Sequence, residues 1–170
     1  FSTDNIYEPQ DLGLSVKWAQ VNVGAGNPLS GGTHFAWGEV SGKSGIMHDL
    51  YYIWRTYKHC DGTESNMIKY NEEDGLTALE AVDDAATMNM GENWRTPTRE
   101  EWQELLDSCK WTEYTGYYKV TSKVNNKSIF LYKGGYSKDA GRLLNELFYW
   151  SSSLCEENMC RAYGLYLSWW

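Results

Sequence analysis

The chain has 170 residues, 42% of them hydrophobic, and a formal charge of -8 from 15 Lys and Arg against 23 Asp and Glu. This length suffices for one real core. The acid excess argues against nucleic acid, whose phosphates need a basic footprint, and disfavours an anionic membrane. No run approaches the ~20 apolar residues of a membrane span, and FSTDNIYEPQ lacks the basic and apolar segments of a secretion signal.

Residues 1–10 are polar, carry Pro9 and read as a tail or edge segment, leaving 11–170 as one domain. In LSVKWAQV, residues 14–21, Leu14, Val16 and Trp18 alternate with Ser15, Lys17 and Ala19, the period of a half-buried strand. The glycine-rich 24–33 is loop, HFAWGEV after it a short aromatic strand, and 41–76 mostly loop around the aromatic YYIWRTYKH.

Two helices are legible. LEAVDDAATMNMG, residues 79–91, has acids near its start and Gly91 at the C-cap position. TREEWQELLDSC, residues 98–109, opens with a Thr98–Glu101 capping box behind Pro97 and puts Trp102, Leu105, Leu106 and Cys109 on one face.

Period two then returns. GYYKVTS and KSIFLYK read as a hairpin turning at Asn125 and Asn126, residues 134–147 as loop, and FYWSSS as a strand that a turn through CEENMC links to the final strand. In RAYGLYLSWW, Leu165 and Leu167 share one face while Gly164, Tyr166, Ser168 and Trp170 share the other. Strands, two helices and strands again define an α+β class with mostly antiparallel pairing and long loops.

Nine Trp, thirteen Tyr and four Phe in so polar a chain put some rings at the surface, where Tyr, Trp and Arg dominate binding hot spots. Phe148, Tyr149, Tyr166, Trp169 and Trp170, with Arg142 and Arg161, are the binding candidates, about half of them expected exposed; Trp18, Trp102 and Trp150 are expected in the core. His34, His48 and His59 have no paired spacing for zinc, and the 61–66 loop DGTESN lacks the bidentate Glu of a calcium loop, so no metal or cofactor is expected. Asp83 with Asp84, and Glu100, Glu101 and Glu104, read as helix-dipole partners and solvated acids, and Ser151, Ser152 and Ser153 as strand and turn residues. Four cysteines allow two bridges, Cys60 with Cys109 and Cys155 with Cys160, or four reduced thiols.

The blocks DLGLSVKWA, NVGA, FAWGE, DDAAT, NWRTPTREEWQEL, KVTSK with SIFL, and YWSSSL occur in the order found in the "major paralogous domain" proteins of Bacteroidetes and Fibrobacter, which the chain resembles from Asp11 to about Leu167. WRTPTREEW is similar to a segment of the formylglycine-generating-enzyme branch of the C-type lectin-like fold. The resemblance implies a C-type lectin-like domain, exported and often lipid-anchored at the cell surface. That family usually continues into a closing strand beyond the point matched by Trp170.

A subset of the family looks like the variable proteins of diversity-generating retroelements, in which a C-terminal region is rewritten to form a ligand surface. By that resemblance Leu154, Ala162, Leu165 and Leu167 are framework, and Cys155, Cys160, Arg161, Gly164, Tyr166, Ser168 and Trp170 are variable. The expected function is non-catalytic binding of a protein or glycan by this aromatic patch. The alternatives are a thiol or copper oxidase built on Cys155 and Cys160, by likeness to the Cys pair of formylglycine-generating enzymes, and a structural adhesion module.

Overall fold

The computed structural model describes residues 7–42, 53–138, 141–143 and 146–167. Among these described residues, nine strands and two α-helices follow in order: β1 (Pro9–Gln10), β2 (Trp18–Ala19), α1 (Ala85–Met90), α2 (Arg99–Ser108), β3 (Cys109–Tyr114), β4 (Tyr117–Ser122), β5 (Ser128–Tyr132), β6 (Tyr136–Lys138), β7 (Gly141–Leu143), β8 (Leu147–Leu154) and β9 (Ala162–Leu167). Every strand pairing is antiparallel: β1 with β2, the meander β3-β4-β5, β6 with β7, and β8 with β9. The α+β class is the observed one. No helix among the described residues is long and apolar enough to cross a membrane.

Helix α2 forms as the capping box dictates. Thr98 Oγ1 accepts from Glu101 N at 3.2 Å and Glu101 Oε2 accepts from Thr98 N at 2.8 Å. Its Trp102 and Leu105 are buried with Leu12, Trp18, Val120, Ile129, Leu131, Leu147 and Leu165, so helix, meander and terminal ribbon share one core. A second cluster, Trp37, Tyr70 and Leu154 with Trp150 and Ala162 against it, packs under the loops.

Several expectations are corrected. The 14–21 segment alternates in burial, but only Trp18–Ala19 forms a ladder, with Pro9–Gln10. HFAWGEV forms no strand. The expected helix at 79–91 divides into a 3-10 turn, Ala81–Asp83, and α1, because Asp84 caps α1 by accepting from Ala86 N and Thr87 N. Cys109 opens β3, a strand the sequence reading missed, and 134–147 holds the β6–β7 hairpin. The Asn turn is present, with Asn126 at φ 60°. The four cysteines are free thiols: Cys60 donates to Trp54 O, Cys160 donates to Glu64 O, and Cys109 lies in the main core.

Asp83 and Asp84 are buried rather than solvated. Asp84 also accepts from Thr96 N and Thr96 Oγ1, tying α1 to the approach of α2. Asp83 accepts from Lys58 Nζ at 2.5 Å, Lys69 Nζ at 2.5 Å and Tyr70 OH at 2.9 Å, with His59 Nε2 at 3.7 Å. Burial drives its carboxyl pKa upward, but the hydrogen bonds from Lys58, Lys69 and Tyr70 outweigh it and hold the value at about 2. Burial likewise lifts Tyr70 to about 12.

Removing the carboxylate leaves a buried void and the fully buried Tyr70 OH without its acceptor, whereas Lys58 is half exposed and Lys69 keeps Glu80, so Asp83→Ala should lose on the order of 2 kcal/mol in urea unfolding. Because the folded pKa lies below the unfolded value, the wild-type contribution is complete above about pH 4 and fades as pH falls toward 2. Wild type and variant should therefore converge in stability on acidification. A gap of constant size down to pH 2 would contradict this.

Candidate functional site

In the terminal ribbon, Leu147 pairs with Leu167, Phe148 with Tyr166, Tyr149 with Leu165, and Trp150 with Gly164. Leu147, Tyr149, Leu165 and Leu167 face the main core. Phe148, Tyr166, Trp150 and Gly164 take the opposite face, as strand period demands. On that face Phe148 meets Trp150 edge-on at 4.7 Å and Tyr166 at 6.5 Å. The ladder is irregular between Trp150 and Leu154, where Ser151 Oγ donates to Tyr163 O and accepts from Ser153 N.

A cavity of about 1420 Å³ opens beside β8, between it and the loops that carry Asn22, His34, Phe35, Trp54, Trp94 and Arg95. Phe148, Trp150, Cys160 and Arg161 form its ribbon wall. Arg95 is held bidentate by Glu101, at 2.8 and 2.5 Å, so this wall residue is charge-balanced and the Glu101 carboxyl sits below its usual range. Trp54 and Arg161 are exposed at the rim. Trp18 also lines the cavity, and its buried indole N–H has no hydrogen-bond acceptor among the described residues; its ring stands 4.9 Å from that of Trp102.

The sequence-derived site divides on this geometry. Phe148, Tyr149, Cys160 and Arg161 reach the cavity, and Tyr166 is 44% exposed with its OH donating to Glu146 Oε2. Tyr149 is framework: its ring packs on Trp102 and its OH bonds Asn22 and donates to Tyr132 O, while burial lifts its pKa to about 12. Gly164 is structural too, since an added Cβ would stand 3.0 Å from Tyr149 O and 3.1 Å from the Phe148 ring. Cys155 lies off the cavity. Burial raises the Cys160 thiol, with the Glu64 charge adding to the rise, which disfavours thiolate. The Arg142 side chain, Ser168, Trp169, Trp170 and His48 lie outside the described residues.

Sequence reasoning missed the loop wall. Its signal was the aromatic and histidine cluster directly after the glycine-rich 24–33 stretch, which was read as a strand.

Comparison with protein families, curated proteins and solved structures gave no match to the chain.

Gly164→Ala should cost about 1–3 kcal/mol through overpacking against Phe148 and Tyr149 O. Pairing it with Phe148→Leu should recover part of the loss in a denaturant double-mutant cycle. Additive losses would show that the Phe148 ring is not what Gly164 accommodates.

Proposed function

We propose that this chain is a non-catalytic binding domain of an exported surface protein, a C-type lectin-like scaffold whose terminal ribbon and adjoining loops grip a protein or glycan. The observation that carries the reading is the alternation along β8 and β9. Core-facing pairs alternate with Phe148 and Tyr166, and Arg161 stands exposed just before β9, so Tyr166 and Arg161 can change without disturbing the main core. Rings on a fixed frame supply contact area at little entropic cost, and Arg161 supplies directed hydrogen bonds. The thiol-oxidase alternative has less support, because Cys160 is a raised thiol donating to Glu64 O and Cys155 lies off the cavity.

The likeness to retroelement variable proteins is part of the proposal in a restricted form. Rewriting would act on Cys160, Arg161 and Tyr166 and spare Tyr149 and Gly164, which the frame needs. DNA beside the gene should then hold a near-copy of codons 142–170 that differs where the copy has adenine, including the codons of Arg161 and Tyr166 but not those of Tyr149 and Gly164. A near-copy that also varies Tyr149 and Gly164, or none at all, would remove the retroelement reading.

Binding is tested separately. On an array of glycans and extracellular proteins, Arg161→Ala combined with Tyr166→Ala should lower the strongest signals about tenfold, or roughly 1.4 kcal/mol. The melting temperature should move by no more than about 2 °C. An unchanged array profile would refute the ribbon as the binding surface.

A further inference from the structure

Trp18 stands where the main core meets the wall of the cavity beside β8. It is 5% exposed and its indole Nε1 is closed to solvent, yet among the described residues no acceptor meets that N–H. Other indoles of the chain are satisfied. Trp37 donates to Ser151 O, Trp102 to Trp150 O, Trp111 to Leu105 O and Trp150 to Phe35 O, at 2.8, 3.1, 3.3 and 3.1 Å. A buried donor without an acceptor costs about 1–3 kcal/mol, so the exception at Trp18 is energetically large.

The cavity gives an acceptor somewhere to sit. Its volume of about 1420 Å³ exceeds the roughly 300–1,000 Å³ usual for small-ligand pockets, and Trp37, Trp54, Tyr57, Trp94 and Trp150 line it together with Trp18. Aromatic walls favour a flat ring as occupant, because ring faces and edges attract one another beyond simple burial. A single neutral donor also selects for an uncharged partner. One N–H compensates the hydration that a carbonyl oxygen gives up on burial, whereas it falls far short of the hydration that an ion gives up.

We propose that the cavity takes a small uncharged aromatic molecule bearing a carbonyl oxygen, with its ring against the indoles of the wall and its oxygen accepting from Trp18 Nε1. Binding includes a small rotation of the Trp18 indole, since its N–H is closed to solvent before the ligand enters. This site goes beyond the ribbon surface and does not draw on it. Arg161 and Tyr166 take no part.

The test is an NMR titration of the full chain, isotopically labelled at the tryptophan nitrogens, with acetophenone, ethylbenzene and benzoate as probes. Ethylbenzene is more hydrophobic than acetophenone, so a cavity that offers no donor prefers it. Here acetophenone should bind with a Kd of about 0.1–1 mM, at least about threefold more tightly than ethylbenzene, and benzoate should not compete. The assigned Trp18 indole proton should move downfield with acetophenone alone, and in Trp18→Phe the two neutral probes should exchange their order of affinity. The site is refuted if acetophenone does not bind at about 10 mM, or if the wild type prefers ethylbenzene or benzoate. It is also refuted if the Trp18 proton moves no further with acetophenone than with ethylbenzene. Those readouts are made on the wild type, so they decide the matter even where Trp18→Phe, a core change, does not fold. Arg161→Ala with Tyr166→Ala should leave the acetophenone Kd within about twofold, and a larger loss would place the probe at the rim and overturn the site. Acetophenone binding as expected beside an unchanged array profile supports the site and removes the ribbon reading alone.

Discussion

The structure depends on how the second edge of β8 is satisfied. One edge pairs with β9; along the other, among the described residues, there is no strand but only an isolated bridge of Ser153 with Ala78, and an unpaired edge buried against protein would leave costly orphan groups. Three indoles and three loop segments fill the gap. Trp102 Nε1 donates to Trp150 O and Trp37 Nε1 to Ser151 O, while Leu79 N donates to Ser152 O. Ser152 N donates to Pro97 O, Leu154 N to Thr77 O, and β8 returns a donor through Trp150 Nε1 to Phe35 O. A strand whose neighbours are side chains and turns holds helix, meander and loops together without a continuous sheet.

This arrangement explains why both faces of β8 carry weight. Leu147 and Tyr149 go into the main core, while Trp150 and Leu154 go into the second cluster under the loops. The clusters therefore meet across one strand, and Ser151, whose hydroxyl bonds Tyr163 O, occupies the irregularity where the ribbon passes from one to the other. Toward Leu147 the second face is no longer covered by that cluster. It is there that Phe148 and Tyr166 come to the cavity and the surface.

What was legible in the sequence is what physics decides locally. Thr98 and Glu101 needed nothing beyond four residues of chain, and the Leu165 and Leu167 alternation needed only the strand period. Strand β3 stayed hidden because one of its inward positions, Glu113, is a carboxylate made acceptable by Lys133, twenty residues away, so no apolar alternation marked it. HFAWGEV carried a strand's composition, yet its Trp37 finds a partner through an indole to Ser151 O rather than through a ladder. Asp83 looked solvated because the lysines, tyrosine and histidine around it come from 13 to 25 residues away in the chain. The ribbon candidates were found by alternation, but the same alternation could not distinguish Gly164, empty so that Phe148 fits, from an outward position free to vary.

A chain with so much loop could pay heavily in entropy to present a binding surface, and short polar side chains are what prevent it. Tyr70, fully buried at φ 59°, is held in that unfavourable backbone region by Asp74, which accepts from Tyr70 N, Asn71 N and Leu76 N; Asn71 in turn accepts from Glu73 N and Asp74 N. Asp11 and Asn27 bond the amides two residues ahead in the same way. Each such bond replaces a ladder or helix bond and removes a freedom that a ligand would otherwise have to freeze. The aspartates and asparagines that make the chain read as loop-rich are thus the groups that make its loops rigid, and rigid loops around an anchored strand are what a binding surface built on rings requires.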